Sequence, residues 1–122
     1  MPPPAVPGAA LVRFDDGAAD LLAARLDELA DTIAAVAVGE RDRAATTVHQ
    51  WTGFTRTWFD QHHDRLLNEL ATTAHRARTS AEAVRRAKLV AARLQQARND
   101  EVELAQRVEI ARLEQLATRA GP

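Results

Sequence analysis

The chain has 122 residues, the size of one small domain. Hydrophobic residues make up 46% of it but aromatics only 4%, so much of the apolar content is alanine, which favours helix and buries little area per residue. The lack of Cys excludes disulfides, thiolate chemistry and Cys-based zinc sites, and a net charge of −1 argues against a dedicated polyanion binder.

Four of the five prolines lie in residues 1–10, which predicts an extended, mobile segment over 1–14. Met1–Gly8 lacks the basic region and unbroken apolar run of a cleavable signal peptide. No later stretch approaches the ~18 apolar residues of a membrane span, so the chain reads as soluble and cytoplasmic. Leu11, Val12 and Phe14 form a short apolar patch, and Asp15, Asp16 and Asp20 supply carboxylates suited to a helix N-terminus.

A first helix is predicted over 17–49. Leu22, Leu26, Leu29, Ile33 and Val36 step by four, three, four and three residues, the spacing of a narrow seam for one facing helix. The stripe continues through Ala44 to Trp51. Thr52 and Gly53 then break the pattern, because glycine adopts φ values that other residues avoid.

A second periodic run holds Phe59, Leu66, Leu70, Thr73, Ala77 and Val84, with His62 on the same side and Trp58 beside Phe59. Two seamed helices and a short connection imply an antiparallel αα-hairpin over 15–98. Beyond residue 86 the apolar residues spread around the helix, yet no Pro or Gly intervenes before Gly121. The favoured reading is one second helix of about 60 residues, with 99–122 as a helical extension at 1.5 Å per residue. Possible restarts at Thr79–Glu82 and Asp100–Glu103 give the other reading, a break near 99–100 and a third helix.

The expected fold class is therefore all-α: a hairpin with a long second helix, pairing into a four-helix bundle. Pairing is expected because a core of Ala and Leu with few large anchors is thin, and small single cores are marginal.

The chain offers little chemistry. His62 and His63 are neighbours, so they diverge by about 100° on a helix and cannot share one ion. His62 is expected to be partly buried in the seam and His63 to lie on the surface. Asp27 and Asp31 have no apolar pocket to raise a pKa, and no phosphate loop or nucleophile motif is present. The bases Arg76, Arg78, Arg85, Arg86, Lys88, Arg93 and Arg98 scatter around the helix rather than gathering on one face, which argues against nucleic acid. No catalytic, cofactor-binding or metal-binding residue is assigned, and the expectation is that the chain is not an enzyme.

Trp51-Thr52-Gly53 between two helices, with Phe59 eight residues after the Trp and Leu66 one heptad further on, resembles the WXG (Trp-x-Gly) family. These are small helical-hairpin proteins exported by the type VII (ESX-like) secretion systems of actinobacteria and firmicutes. The likeness covers roughly residues 15–95. It implies a homo- or heterodimer with a related hairpin, contact with a secretion ATPase or a co-exported protein, and export without a cleavable signal. It also assigns Trp51 and Gly53 to the turn. Leu22, Leu26, Leu29, Ile33, Val36, Trp58, Phe59, Leu66, Leu70 and Val84 are the candidate seam and partner interface. Family members often carry a Tyr-x-x-x-Asp/Glu export signal, whereas this chain has no Tyr. The alternative is a cytoplasmic coiled-coil adaptor unrelated to secretion. Trp51 is expected to plug the open end of the hairpin, in which case truncation to Ala costs ~3–5 kcal/mol.

Overall fold

A computed structural model of the chain describes residues 2–121. It contains two helices, α1 (Asp16–Val48) and α2 (Gly53–Arg119), and no strand among the described residues. These fall into two compact units. One is the hairpin, Gly17–Arg85; the other is the N-terminal segment up to Asp16 together with α2 from Arg86 onward.

Within the hairpin unit, α1 packs antiparallel against the first half of α2. Ala30 of α1 clusters with Ala74 and Ala77 of α2, flanked by Ile33. Among the described residues, the buried apolar side chains are six alanines (Ala19, Ala23, Ala30, Ala74, Ala77, Ala81) and Val48. Alanine at the contact lets two helix backbones approach closely. Each buried methyl contributes only about 0.8 kcal/mol, so the close approach yields a shallow core.

This is where the structure departs from the predicted α1 seam. On α1, Ala19, Leu26, Ile33 and Glu40 occupy one heptad position (a), and Ala23, Ala30, Ala37 and Ala44 another (e); all are buried or half-buried. Leu22, Leu29 and Val36 occupy the intervening position (d), and each is about half exposed. The five-residue seam is thus divided between the α2-facing side and a flank. The physical reason is size, since helices meeting on alanine approach along the a/e side and leave the larger d residues outside the contact. α2 behaves alike: Leu70 and Val84 are half-buried in its seam with Ala74, Ala77 and Ala81, while Leu66 stays exposed.

α2 runs unbroken for 67 residues, the longer of the two sequence readings. Neither predicted restart interrupts it. The Thr79 hydroxyl donates to the His75 carbonyl one turn back rather than capping a new helix. Asn99, next to the second restart, is turned to another use.

That use concerns the N-terminal segment. Its described residues are non-helical, in keeping with the prolines, and their backbone is hydrogen-bonded to α2 at four points. Val6 N–H donates to Asn99 Oδ1 at 3.1 Å, and Asn99 Nδ2 donates to the Pro4 carbonyl at 2.8 Å. Val12 N–H donates to Gln95 Oε1 at 2.7 Å, and Gln95 Nε2 donates to the Ala10 carbonyl at 3.3 Å. The prolines set the shape, and two buried amides on α2 hold it.

Candidate interaction surface

The connection between the helices is short and heavily tied. α1 ends at Val48 with no basic residue in its last turn, and the Arg56 guanidinium of α2 supplies the missing cation by donating to the Val48 carbonyl at 2.6 Å. Arg56 is held in place by Asp60, to whose carboxylate Nε donates at 3.0 Å. Trp51 N–H also returns to the Val48 carbonyl, at 2.9 Å. Gly53 takes φ +74°, the left-handed region where a side chain is strained, and open space surrounds the place where a Cβ would sit. Backbone conformation, rather than crowding, therefore calls for glycine here. The sequence reading found Trp51 and Gly53 but missed Arg56 and Asp60, whose i,i+4 spacing was the available signal.

Trp51 meets Phe59 edge to face, with ring centroids 5.7 Å apart. The indole is nevertheless 40% exposed, so the expectation of a buried plug is corrected. Phe59 itself is half-buried. Phe54 is 83% exposed and Trp58 about half exposed, with its indole stacked on His62 at 4.1 Å. Four of the chain's five aromatic residues thus lie within 51–59, and three of them, Trp51, Phe54 and Trp58, are exposed.

The histidines exchange their expected places. His62 is exposed, and its Nδ1 lies 2.8 Å from the Trp58 carbonyl. His63 is half-buried and stacked on Phe59 at 5.3 Å, and its Nε2 is enclosed without a hydrogen-bond partner. His63 falls at the same heptad position as Leu70, Ala77 and Val84, so the true seam of α2 passes through it. Among the described residues no group of three or more His, Asp or Glu is placed to hold a metal. A shallow depression of about 800 Å³ along Gln61–Arg76 is lined only by polar and charged side chains of α2, without a convergent set.

The two flanks of the hairpin differ in chemistry. On one, Arg78 donates to Asp31 at 3.3 Å and Arg85 pairs with Asp27, which ties α1 to α2 with charge. Those arginines and Asp27 sit at heptad position b. In an antiparallel pair that turns its a and e positions inward, the d positions of both helices fall together on the flank opposite b, because reversing one helix reverses the sense in which its positions are read. That flank carries Leu22, Leu29 and Val36 from α1 and Phe59, Leu66, Thr73 and Ser80 from α2. Arg43, paired with Glu40, bounds it near the turn. One flank is salt-bridged; the other is an apolar row at heptad spacing.

Of the predicted interface residues, Leu26, Ile33, Leu70 and Val84 are half-buried in the hairpin's own seam. Leu22, Leu29, Val36 and Leu66 lie on the exposed flank, with Trp51, Trp58 and Phe59 around the turn. No helix among the described residues is long and apolar enough to cross a membrane. No protein-family model, curated protein or solved structure matches this chain.

Proposed function

We propose that the chain is a non-enzymatic interaction protein: a WXG-like hairpin that pairs through its Leu22–Leu29–Val36 flank with a second copy or a related hairpin, forming a four-helix bundle in a type VII secretion setting. The observation that carries pairing is that flank, three large apolar residues one heptad apart, each about half exposed on a hairpin whose own core is alanine. A helix apolar at a, d and e has a stripe wide enough for two neighbours, and α2 fills only one side of it. The secretion setting rests on Trp51, Gly53, Phe59 and Leu66. Because the chain has no Tyr, the pairing hairpin would carry any Tyr-x-x-x-Asp/Glu signal.

Light scattering after size exclusion tests the pairing. The wild-type chain is expected at twice its 13.4 kDa mass and Leu29→Glu at the monomer mass with its helix content intact. A wild-type monomer at tens of micromolar would remove the basis for the bundle. The secretion setting is tested separately, by asking whether the tagged chain reaches the medium from a type VII-competent strain and not from one lacking the secretion ATPase. A second reading, a coiled-coil adaptor, is favoured by one observation: Leu104, Val108, Ile110, Leu113 and Leu116 near the end of α2 are all exposed. It predicts a partner that binds the C-terminal segment and survives Leu29→Glu.

A further inference from the structure

Gln95 and Asn99 are the buried polar side chains of the described structure, each 3% exposed, and both amides face the N-terminal segment. Buried amides are costly unless every donor and acceptor is met. Here each meets the peptide backbone in the same way. Asn99 takes the carbonyl of Pro4 and the N–H of Val6; Gln95 takes the carbonyl of Ala10 and the N–H of Val12. A carbonyl and the N–H two residues later is the pair that a neighbouring strand would engage, so each amide substitutes for one strand residue. A further bond from Gln95 Nε2 to Asn99 Oδ1, 3.0 Å, fixes the two amides relative to each other.

The spacing selects the ligand. Gln95 and Asn99 are one helical turn apart, about 6 Å along the axis. The peptide positions they hold, Val6 and Val12, would lie about 20 Å apart if the chain between them were extended. A turn takes up the difference: Ala9 N–H donates to the Val6 carbonyl at 3.0 Å, and Gly8 sits at φ +89°. A Cβ on Gly8 would meet only Val102 Cγ1, at an ordinary 3.6 Å, so conformation rather than space demands glycine. Beside the amides lies a cleft of about 440 Å³, walled in part by the segment's own Pro3, Leu11 and Phe14 and by Ala91 of α2.

We propose that Gln95 and Asn99 form a backbone-reading peptide site, that its ligand is a proline-rich segment bent at Pro-Gly, and that residues 2–14 fill it in cis while the same segment of a second copy can fill it in trans. Displacement is physically accessible because no residue of 2–14 is fully buried, and both amides would return to water when the segment leaves. The same bonds form in cis and in trans, the condition under which segments exchange between copies at low cost.

The test uses the full chain and a labelled peptide of residues 2–14. Val6→Pro with Val12→Pro removes both N–H donors of the resident segment without touching either helix. This double variant is expected to bind the wild-type peptide at least tenfold more tightly than the wild-type chain does. Adding Asn99→Ala, or carrying Gly8→Val in the peptide, should weaken that binding at least tenfold. Equal binding by the wild-type chain and the double variant would overturn the proposal, as would no binding by the double variant or binding indifferent to Asn99→Ala. Amide exchange on the wild-type chain gives an independent readout. Val6 and Val12 should be protected and lose protection in Asn99→Ala with Gln95→Ala; exchange at unprotected rates in the wild type would equally sink the idea. Neither readout depends on the pairing proposed above: Leu29 belongs to the hairpin unit, and Leu29→Glu is expected to leave both unchanged.

Discussion

The hairpin unit and the unit built on the N-terminal segment use one helix, α2, in two different ways. From His63 to Val84 the inward positions of α2 are mostly small or apolar and meet another helix, with alanine methyls in the contact. From Arg86 onward the same alternation of threes and fours continues through Ala91 to Gln95, which stands where the hairpin has alanine, and Asn99 follows one turn later at the position that Arg78 and Arg85 hold in the hairpin. Their partner is a proline-containing segment that cannot be helical, so its backbone groups need side-chain partners and find them in two amides. A helix packs on a helix by shape, whereas an irregular segment packs on a helix by hydrogen bonds. The first contact is apolar and intolerant of volume; the second is directional and can be exchanged with water.

That contrast can be pressed from the hairpin side first. Ala30 is fully buried in the helix contact, so Ala30→Leu must force the helices apart and should cost about 1–3 kcal/mol in chemical denaturation. A neutral result would mean that the contact is looser than an alanine seam. Trp51→Ala comes next. With the indole 40% exposed and held chiefly by Phe59, the loss should be about 2 kcal/mol, below the ~3–5 of a buried large aromatic. A loss in the buried range in purified protein, but only at concentrations where the chain pairs, would place Trp51 in the pairing contact. The smallest effect belongs to His63. Its enclosed, unpartnered Nε2 makes His63→Leu neutral or stabilising by up to about 1 kcal/mol, read as a rise in the denaturation midpoint.

Much of the hairpin is legible in the residues. Periodicity gave both helices, and Gly53 gave the reversal within a few residues, since its positive φ is a backbone demand that few other residues meet. The length of α2 followed from the absence of Pro and Gly between Gly53 and Gly121. The division of the α1 stripe did not follow. Leu22, Leu26, Leu29, Ile33 and Val36 look equivalent on a helical wheel, and only the alanines beside them, Ala23 and Ala30, decide which side of the stripe the second helix takes. Size matching between helices is a property of the pair, and a single-helix pattern does not carry it. The seat of the N-terminal segment was hidden for a similar reason. Gln95 and Asn99 carry no signal of their own in the sequence, and their use shows only when a chain more than 80 residues away is laid across them.

The central claim is that the Leu22–Leu29–Val36 flank meets a second hairpin, and the chain's lack of cysteine makes it directly testable. A single cysteine at Leu29 lies on that flank, and a single cysteine in place of the exposed Arg41 lies on the salt-bridged side. Under mild oxidation at micromolar concentration, the account predicts that Leu29→Cys forms a disulfide-linked dimer readily and Arg41→Cys forms little. Equal, slow cross-linking of the two variants would contradict it.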